Sequence, residues 1–188
     1  MNLKKALTLI AWGFVLTIVS FNIKLGDLSV NILPDFIGWI MLIMAFDYLG
    51  HYGDEHGILK WYSIGLAVLS LGVWLMNFTT IKEYGDVDAA LNVFNRIITL
   101  ISGIYFFFLF GILEKICVDY GIPLENKIRN LKIANVVIFA ILAILGLIVE
   151  YISLEAATFI LIITGIVNLV VVVITTMTLF KLKNAIKE

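Results

Sequence analysis

The sequence predicts an all-α membrane protein, a polytopic bundle of six transmembrane helices with both termini in the cytoplasm. Three observations lead there. The 188 residues are 62% hydrophobic and 14% charged, with mean hydropathy +1.06, whereas a soluble domain is about half apolar and a quarter charged. Apolar runs able to cross roughly 30 Å of hydrocarbon recur along the chain. Lysine and arginine gather in alternate loops, as they do in cytoplasmic ones.

The spans follow in order. Ala6–Ile23 comes directly after Lys4 and Lys5. Its exit, Ser20-Phe21-Asn22-Ile23-Lys24, has no small-x-small cleavage site, so it reads as a retained helix and not a signal peptide. The second span, about 35–49, is the least regular. Its uncharged stretch Phe36–Phe46 has only 11 residues, with Leu28–Leu33 and Pro34-Asp35 before it. Pro34 removes a backbone donor and biases Leu33 toward extended forms. The second helix is therefore expected to begin near Asp35, whose carboxylate suits a cap or the first turn. Ile23–Leu33 is expected at the outer interface or dipping into it, where non-helical backbone must pack on protein or line a cavity. The remaining spans, Trp61–Ile81, Ala89–Leu113, Ile133–Val149 and Ala156–Phe180, are unambiguous. The loops are too short for a soluble module, so residues 1–188 read as one integral membrane domain.

Six spans put Lys4, Lys5, Lys60, Lys115, Lys127, Arg129, Lys132, Lys181, Lys183 and Lys187 on one side, and Lys24 and Lys82 on the other. This bias assigns the first side to the cytoplasm. Omitting the irregular second span would destroy it. Trp61 and Tyr62 fall at an inner helix end, and Trp39, Tyr84 and Tyr151 near outer ends, as interfacial aromatics do. Each half has three spans, the arrangement of an inverted repeat. The one echo between them is Asp47-Tyr48-Leu49-Gly50 with Asp119-Tyr120-Gly121.

Small and weakly polar residues mark helix contacts where lipid surrounds the bundle. Such residues recur at helical spacing as Ala6, Gly13, Thr17 and Ser20; as Ser63, Ala67, Ser70 and Asn77; as Asn92, Asn95, Thr99, Ser102 and Gly103; and as Gly165, Asn168 and Thr175. Arg96 is the only charge in the uncharged run of 25 residues from Ala89 to Leu113. An arginine in hydrocarbon needs a partner, a wet cavity or a route to the surface. It lies about 12 Å along the helix from Asp88, shallow enough to snorkel. Asn92, one turn earlier, and Asn95 beside it share its side of the helix, and Asp35, Glu83, Asp86, Asp88 and Glu150 are acids on the outer side. One reading is a structural arginine, snorkelled or paired with a carboxylate. The other is an outward pocket formed by Arg96, Asn92, Asn95, Asp35, Glu150 and Asn77, its guanidinium holding a carboxylate or phosphate.

Other chemistry is sparse. His51-Tyr52-Gly53-Asp54-Glu55-His56 is the only histidine cluster, and it reads as a solvated loop, not a metal site. A single cysteine, Cys117, excludes an internal disulfide. No nucleophile–histidine pair, catalytic carboxylate pair or phosphate loop is present, so no cofactor is expected and an enzyme is the lesser expectation, its remaining form a lipid-active membrane enzyme working through Asp35, Glu150 or a loop acid. A net charge of −1 offers nothing to nucleic acid.

The string Asn31-Ile32-Leu33-Pro34-Asp35-Phe36-Ile37-Gly38-Trp39 resembles a stretch in uncharacterised small multi-span membrane proteins of Gram-positive bacteria, where it also follows the first span. The resemblance covers mainly residues 1–50 and implies a multi-pass protein of the bacterial plasma membrane. Size and span count are also similar to the substrate-binding subunits of energy-coupling-factor vitamin transporters. Their Ala-x-x-x-Ala contact is absent here, because Ala6 is followed at that spacing by Ile10. The expected function is small-solute binding or transport through the outward polar pocket. The alternative is an accessory, sensory or immunity protein acting through helix contacts with other membrane subunits.

Overall fold

The computed structural model describes residues 2–19, 22–25, 28–31, 34–50, 56–79, 85–148 and 153–186. Six helices and one short ribbon make up these residues: α1 (Leu3–Ile18), β1 (Asn22–Leu25), β2 (Leu28–Asn31), α2 (Asp35–Leu49), α3 (His56–Thr79), α4 (Gly85–Asp119), α5 (Glu125–Ile148) and α6 (Leu154–Ala185). Helix therefore dominates, and four stretches are long and apolar enough to cross a membrane: Gly57–Met76, Val93–Asp119, Glu125–Leu145 and Thr158–Ala185. With 16 and 15 residues, α1 and α2 are shorter, roughly 24 and 22 Å against about 30 Å of hydrocarbon. The first apolar run, expected to be helical to Ile23, leaves the helix at Ile18, and its last residues enter β1. The chain divides into two compact units, Met1–Ile98 and Thr99–Glu188.

In the first unit α1 opens with the Asn2 side chain accepting from the Lys5 backbone N–H at 2.8 Å. One face of α1 is buried: Leu3, Ala6, Leu7, Ile10, Ala11, Gly13 and Phe14. It packs on α2, which buries Gly38, Trp39, Leu42, Ala45, Phe46 and Leu49. The two helices run antiparallel. Lys5 donates to the Tyr48 hydroxyl at 2.6 Å, and Gly13, in the later part of α1, meets Gly38 in the first turn of α2. A Cβ on Gly38 would lie 2.7 Å from the Gly13 carbonyl oxygen, and one on Gly13 would lie 2.9 Å from the Gly38 carbonyl oxygen. The backbones thus touch, the device by which membrane helices gain dispersion energy where lipid removes the hydrophobic drive. Next, α3 packs on α2 and buries Leu59, Ser63, Leu66 and Ser70 at helical spacing. Lys60 pairs with Asp47 at 2.5 Å, and Phe36 meets Trp74 edge to face at 5.6 Å. Charged contacts therefore collect at one end of this unit, where α1 starts, α2 ends and α3 starts.

The segment before Pro34 is non-helical, as expected. It pairs as an antiparallel ribbon with Asn22 opposite Asn31 and Leu25 opposite Leu28, and β2 lies against α3. The register puts positions 22, 24, 29 and 31 on one face of the ribbon and 23, 25, 28 and 30 on the other. By sequence the first set is Asn, Lys, Ser and Asn, and the second Ile, Leu, Leu and Val. Pro34 occupies the N-cap position of α2 and makes no side-chain cap bond, which leaves Asp35 in the first turn. Trp39, expected at an interface, is instead 1% exposed. It lies in the first turns of α2, between Gly38, which meets α1, and Phe36, which meets α3, so packing encloses it. Trp61, by contrast, is 73% exposed at the start of α3, where an interfacial tryptophan belongs. Gly65 has open space where a Cβ would stand. Gly65→Ala is therefore expected to raise the melting temperature, because a helical glycine costs about 0.5–1 kcal/mol relative to alanine. A lower melting temperature would mean that this face of α3 is covered.

In the second unit the later part of α4 buries Ser102, Tyr105, Phe106, Leu109, Phe110, Leu113, Ile116 and Cys117. It ends in a tight reversal. The Ile122 N–H reaches the Cys117 carbonyl at 2.8 Å and the Gly121 N–H reaches that of Val118 at 3.1 Å, with Gly121 at φ +61°. This is a Schellman cap, and Pro123 beyond it cannot continue the helix. Gly50, after α2, likewise has positive φ. The repeated Asp-Tyr strings therefore each lead into a helix-ending glycine. Where α5 crosses α4, a Cβ on Gly103 would lie 2.8 Å from the Phe139 Cβ, and Phe139 stacks on Phe106 at 5.8 Å. The last helix, α6, packs on α5. Among the described residues its buried positions, Val172, Thr175, Thr178, Leu179 and Leu182, lie in its second half, followed by the buried C-cap Ile186.

Candidate functional site

The polar stripe of α4 changes character along its length. Asn95 is exposed, Arg96 and Thr99 are half-buried, and Ser102 and Gly103 are buried. The lower part is helix packing, since Gly103 accommodates Phe139. The upper part, around Arg96, is open enough to meet solvent or a ligand. The guanidinium stands 11 residues into a helix that begins at Gly85, roughly 16 Å along its axis. Asn92 lies one turn earlier on α4, and its side chain is outside the described residues.

On the other elements, Asp35 opens α2 half-buried, with its Oδ1 shut away from solvent. The positive end of the α2 dipole stabilises a carboxylate in that first turn. The Phe36–Trp74 contact puts this end of α2 beside the later turns of α3, the helix that carries Asn77. The Asn77 side chain lies outside the described residues, as does Glu150 entirely. The structure thus joins Asp35 to the end of α3 that holds Asn77, and it puts Asn92, Asn95 and Arg96 within about one turn of α4. His51–Glu55 also fall outside the described residues, and His56 begins α3. Among the described residues no group of three or more His, Cys, Asp or Glu is placed to hold a metal.

The remaining polar stripes are mostly structural. Ser63 is fully buried and donates to the Leu59 carbonyl at 2.9 Å. Gly13 serves the α1–α2 crossing. Thr175 is buried, and its hydroxyl has no hydrogen-bond partner among the described residues, while Gly165 has open space around it.

One cluster was not anticipated from the sequence. Glu114, near the end of α4, accepts from Arg129 Nε at 2.7 Å and lies 3.7 Å from Lys132 Nζ. Arg129 Nη2 also donates to Glu125 one turn earlier, at 2.5 Å. Lys132 Nζ sits 4.3 Å from the centre of the Phe107 ring, a cation–π contact, and 3.8 Å from where a Gly111 Cβ would stand. Its signal was present: the 125/129 pair has i,i+4 spacing, and Glu114 and Lys132 border apolar runs. Only the tight turn at Gly121 brings those borders face to face.

Comparison with known proteins gives no matching family model, no matching curated protein and no matching solved structure.

Proposed function

We propose that the chain is a multi-pass protein of the bacterial plasma membrane that binds a small anionic solute from outside, as a binding or transport-related component. The six-span topology, with both termini cytoplasmic, is supported by the sorting of charge within each unit. Lys5, Asp47 and Lys60 meet at one end of the first, and Glu114, Arg129 and Lys132 at one end of the second. A positive-inside bias makes these ends cytoplasmic. The short α1 and α2 then stop below the outer surface, and the paired ribbon completes the crossing with its backbone partly satisfied.

The observation that carries the solute reading is Arg96 half-buried beside an exposed Asn95 on α4. A planar guanidinium at the edge of a low-dielectric region, next to an amide, recognises carboxylate or phosphate groups in bidentate fashion. Asp35, Asn77 and Asn92 complete the proposed outer set. The test is a thermal-shift screen of carboxylates and organic phosphates on purified protein, repeated on Arg96→Gln. A true ligand at a hundredfold excess over its Kd stabilises by about 2.7 kcal/mol, and that gain should vanish in the variant. Loss of stability in Arg96→Gln, with no compound shifting the native protein, would make the arginine structural.

A second reading, an accessory protein acting through helix contacts, draws on α6. Phe159, Ile162, Ile163, Ile166, Val167, Leu169 and Val170 are all exposed, so outside the half-buried stripe Ile160, Thr164 and Asn168 the first half of that helix is open to lipid or to another subunit. Co-purification of a defined membrane partner, abolished by polar substitutions on α6, would favour this reading.

A further inference from the structure

We propose that the groove between α4 and α5, at the end that carries Glu114, binds the phosphate of an anionic phospholipid. The groove is built from an outward stripe of α4. Phe107 and Phe108 are exposed, Gly111 is half-buried, and Lys115 is exposed one further turn along. Phe107, Gly111 and Lys115 recur every four residues and share one side of the helix, with Phe108 one turn before Gly111. From α5, Arg129 and Lys132 lean onto the same stripe, three residues apart.

Charge in the groove is incompletely balanced. Glu114 and Glu125 together offset Arg129 and Lys132, so the excess positive charge is that of Lys115. Arg129 spends Nε on Glu114 and Nη2 on Glu125, which leaves Nη1 outside any ion pair. Lys115 forms no ion pair among the described residues. Lys132 has the least ordinary position. A lysine at a membrane boundary normally extends its ammonium toward water. Here the ammonium turns toward the apolar run, over Phe107 and against Gly111, with its side chain only 20% exposed.

Lys132 marks the point where the polar end of the groove meets an exposed phenylalanine, with Arg129 one turn away on α5 and Lys115 one turn beyond Gly111 on α4. A phospholipid has that polarity, a phosphate joined to acyl chains. Its oxygens would engage Lys115, Lys132 and Arg129 Nη1, with the chains lying along Phe107 and Phe108. Basic pockets between membrane helices recognise anionic head groups in this way.

The full chain, purified in a neutral detergent, is titrated with phosphatidylglycerol, with phosphatidylcholine of the same acyl chains, and with inorganic phosphate, reading the melting temperature and lipid retention by native mass spectrometry. Phosphatidylglycerol should bind at least tenfold more tightly than phosphatidylcholine. Lys115→Gln and Lys132→Gln should each weaken it roughly fivefold. Lys127→Gln, two residues from Arg129 and so on the far side of α5, should not weaken it. Inorganic phosphate should give less than a tenth of the effect, since it lacks the chains. Equal binding of the two lipids overturns the proposal, as does an equal loss in Lys127→Gln, or full retention in both Lys115→Gln and Lys132→Gln. Inorganic phosphate matching the lipid would assign the groove to a free anion and overturn the lipid assignment.

Discussion

Gly38→Leu is expected to unfold the first unit. The Cβ alone would stand 2.7 Å from the Gly13 carbonyl oxygen and 2.8 Å from the Thr17 backbone nitrogen. Both are backbone atoms, so no rotamer change can relieve the clash. Overpacking of this kind costs about 3 kcal/mol or more, a large share of the stability of any domain. The damage should spread. With 16 and 15 residues, α1 and α2 are short, and helices of that length depend on packing more than on their own propensity. Their close approach holds the pair, and the pair holds both ends of the ribbon. Melting of purified protein, followed by intrinsic fluorescence, checks this against Gly65→Ala, which has open space. A Gly38→Leu protein that melts within a degree of the native one would show that α1 and α2 do not depend on this crossing.

Trp39→Ala should be nearly as severe. This is the largest fully buried side chain in the protein, at 1% exposure. Removing an indole from a packed site costs about 3–5 kcal/mol through lost contacts and the cavity left behind. The lower end applies here, because lipid-like surroundings reduce the transfer contribution and leave packing as the main loss. Trp61→Ala is the informative partner. That side chain is 73% exposed, and removing it should change the melting temperature little. If Trp61→Ala proves the more damaging of the two, Trp39 is not a core residue and the interfacial assignment returns.

Pro34 shows why some features were legible in advance. Its missing N–H and its restriction of Leu33 are properties of two adjacent residues, and α2 begins at Asp35 as expected. The four long apolar helices were equally readable, because length and hydropathy are sums over a window. The ribbon was only half legible. Its non-helical character followed from Pro34, but its pairing depends on residues nine apart finding each other, as Asn22 and Asn31 do. The Gly26-Asp27 step, with glycine first as in short hairpin connections, was the available signal.

The candidate site divides along the same line. That Arg96 is a costly charge in an apolar run is a fact of sequence, and so are the amides of Asn92 one turn earlier and Asn95 beside it. That Asn95 is exposed while Ser102 is buried depends on which helix covers which part of the α4 stripe. The Glu114–Arg129–Lys132 cluster belongs wholly to tertiary structure, because its members come from two helices reversed at Gly121.

By itself, then, the sequence determined membrane character, the positions of the helices and the late start of α2. These are local quantities, set by the cost of placing charge and unpaired backbone in hydrocarbon. Tertiary structure alone decided that Trp39 is core and not anchor, that Gly13 and Gly38 let two backbones touch, and that Lys132 turns inward over Phe107. In a lipid solvent an apolar residue reads the same facing lipid or facing a neighbouring helix, so hydrophobicity cannot choose between them. Shape complementarity between helices makes that choice, and it exists only once the helices have met.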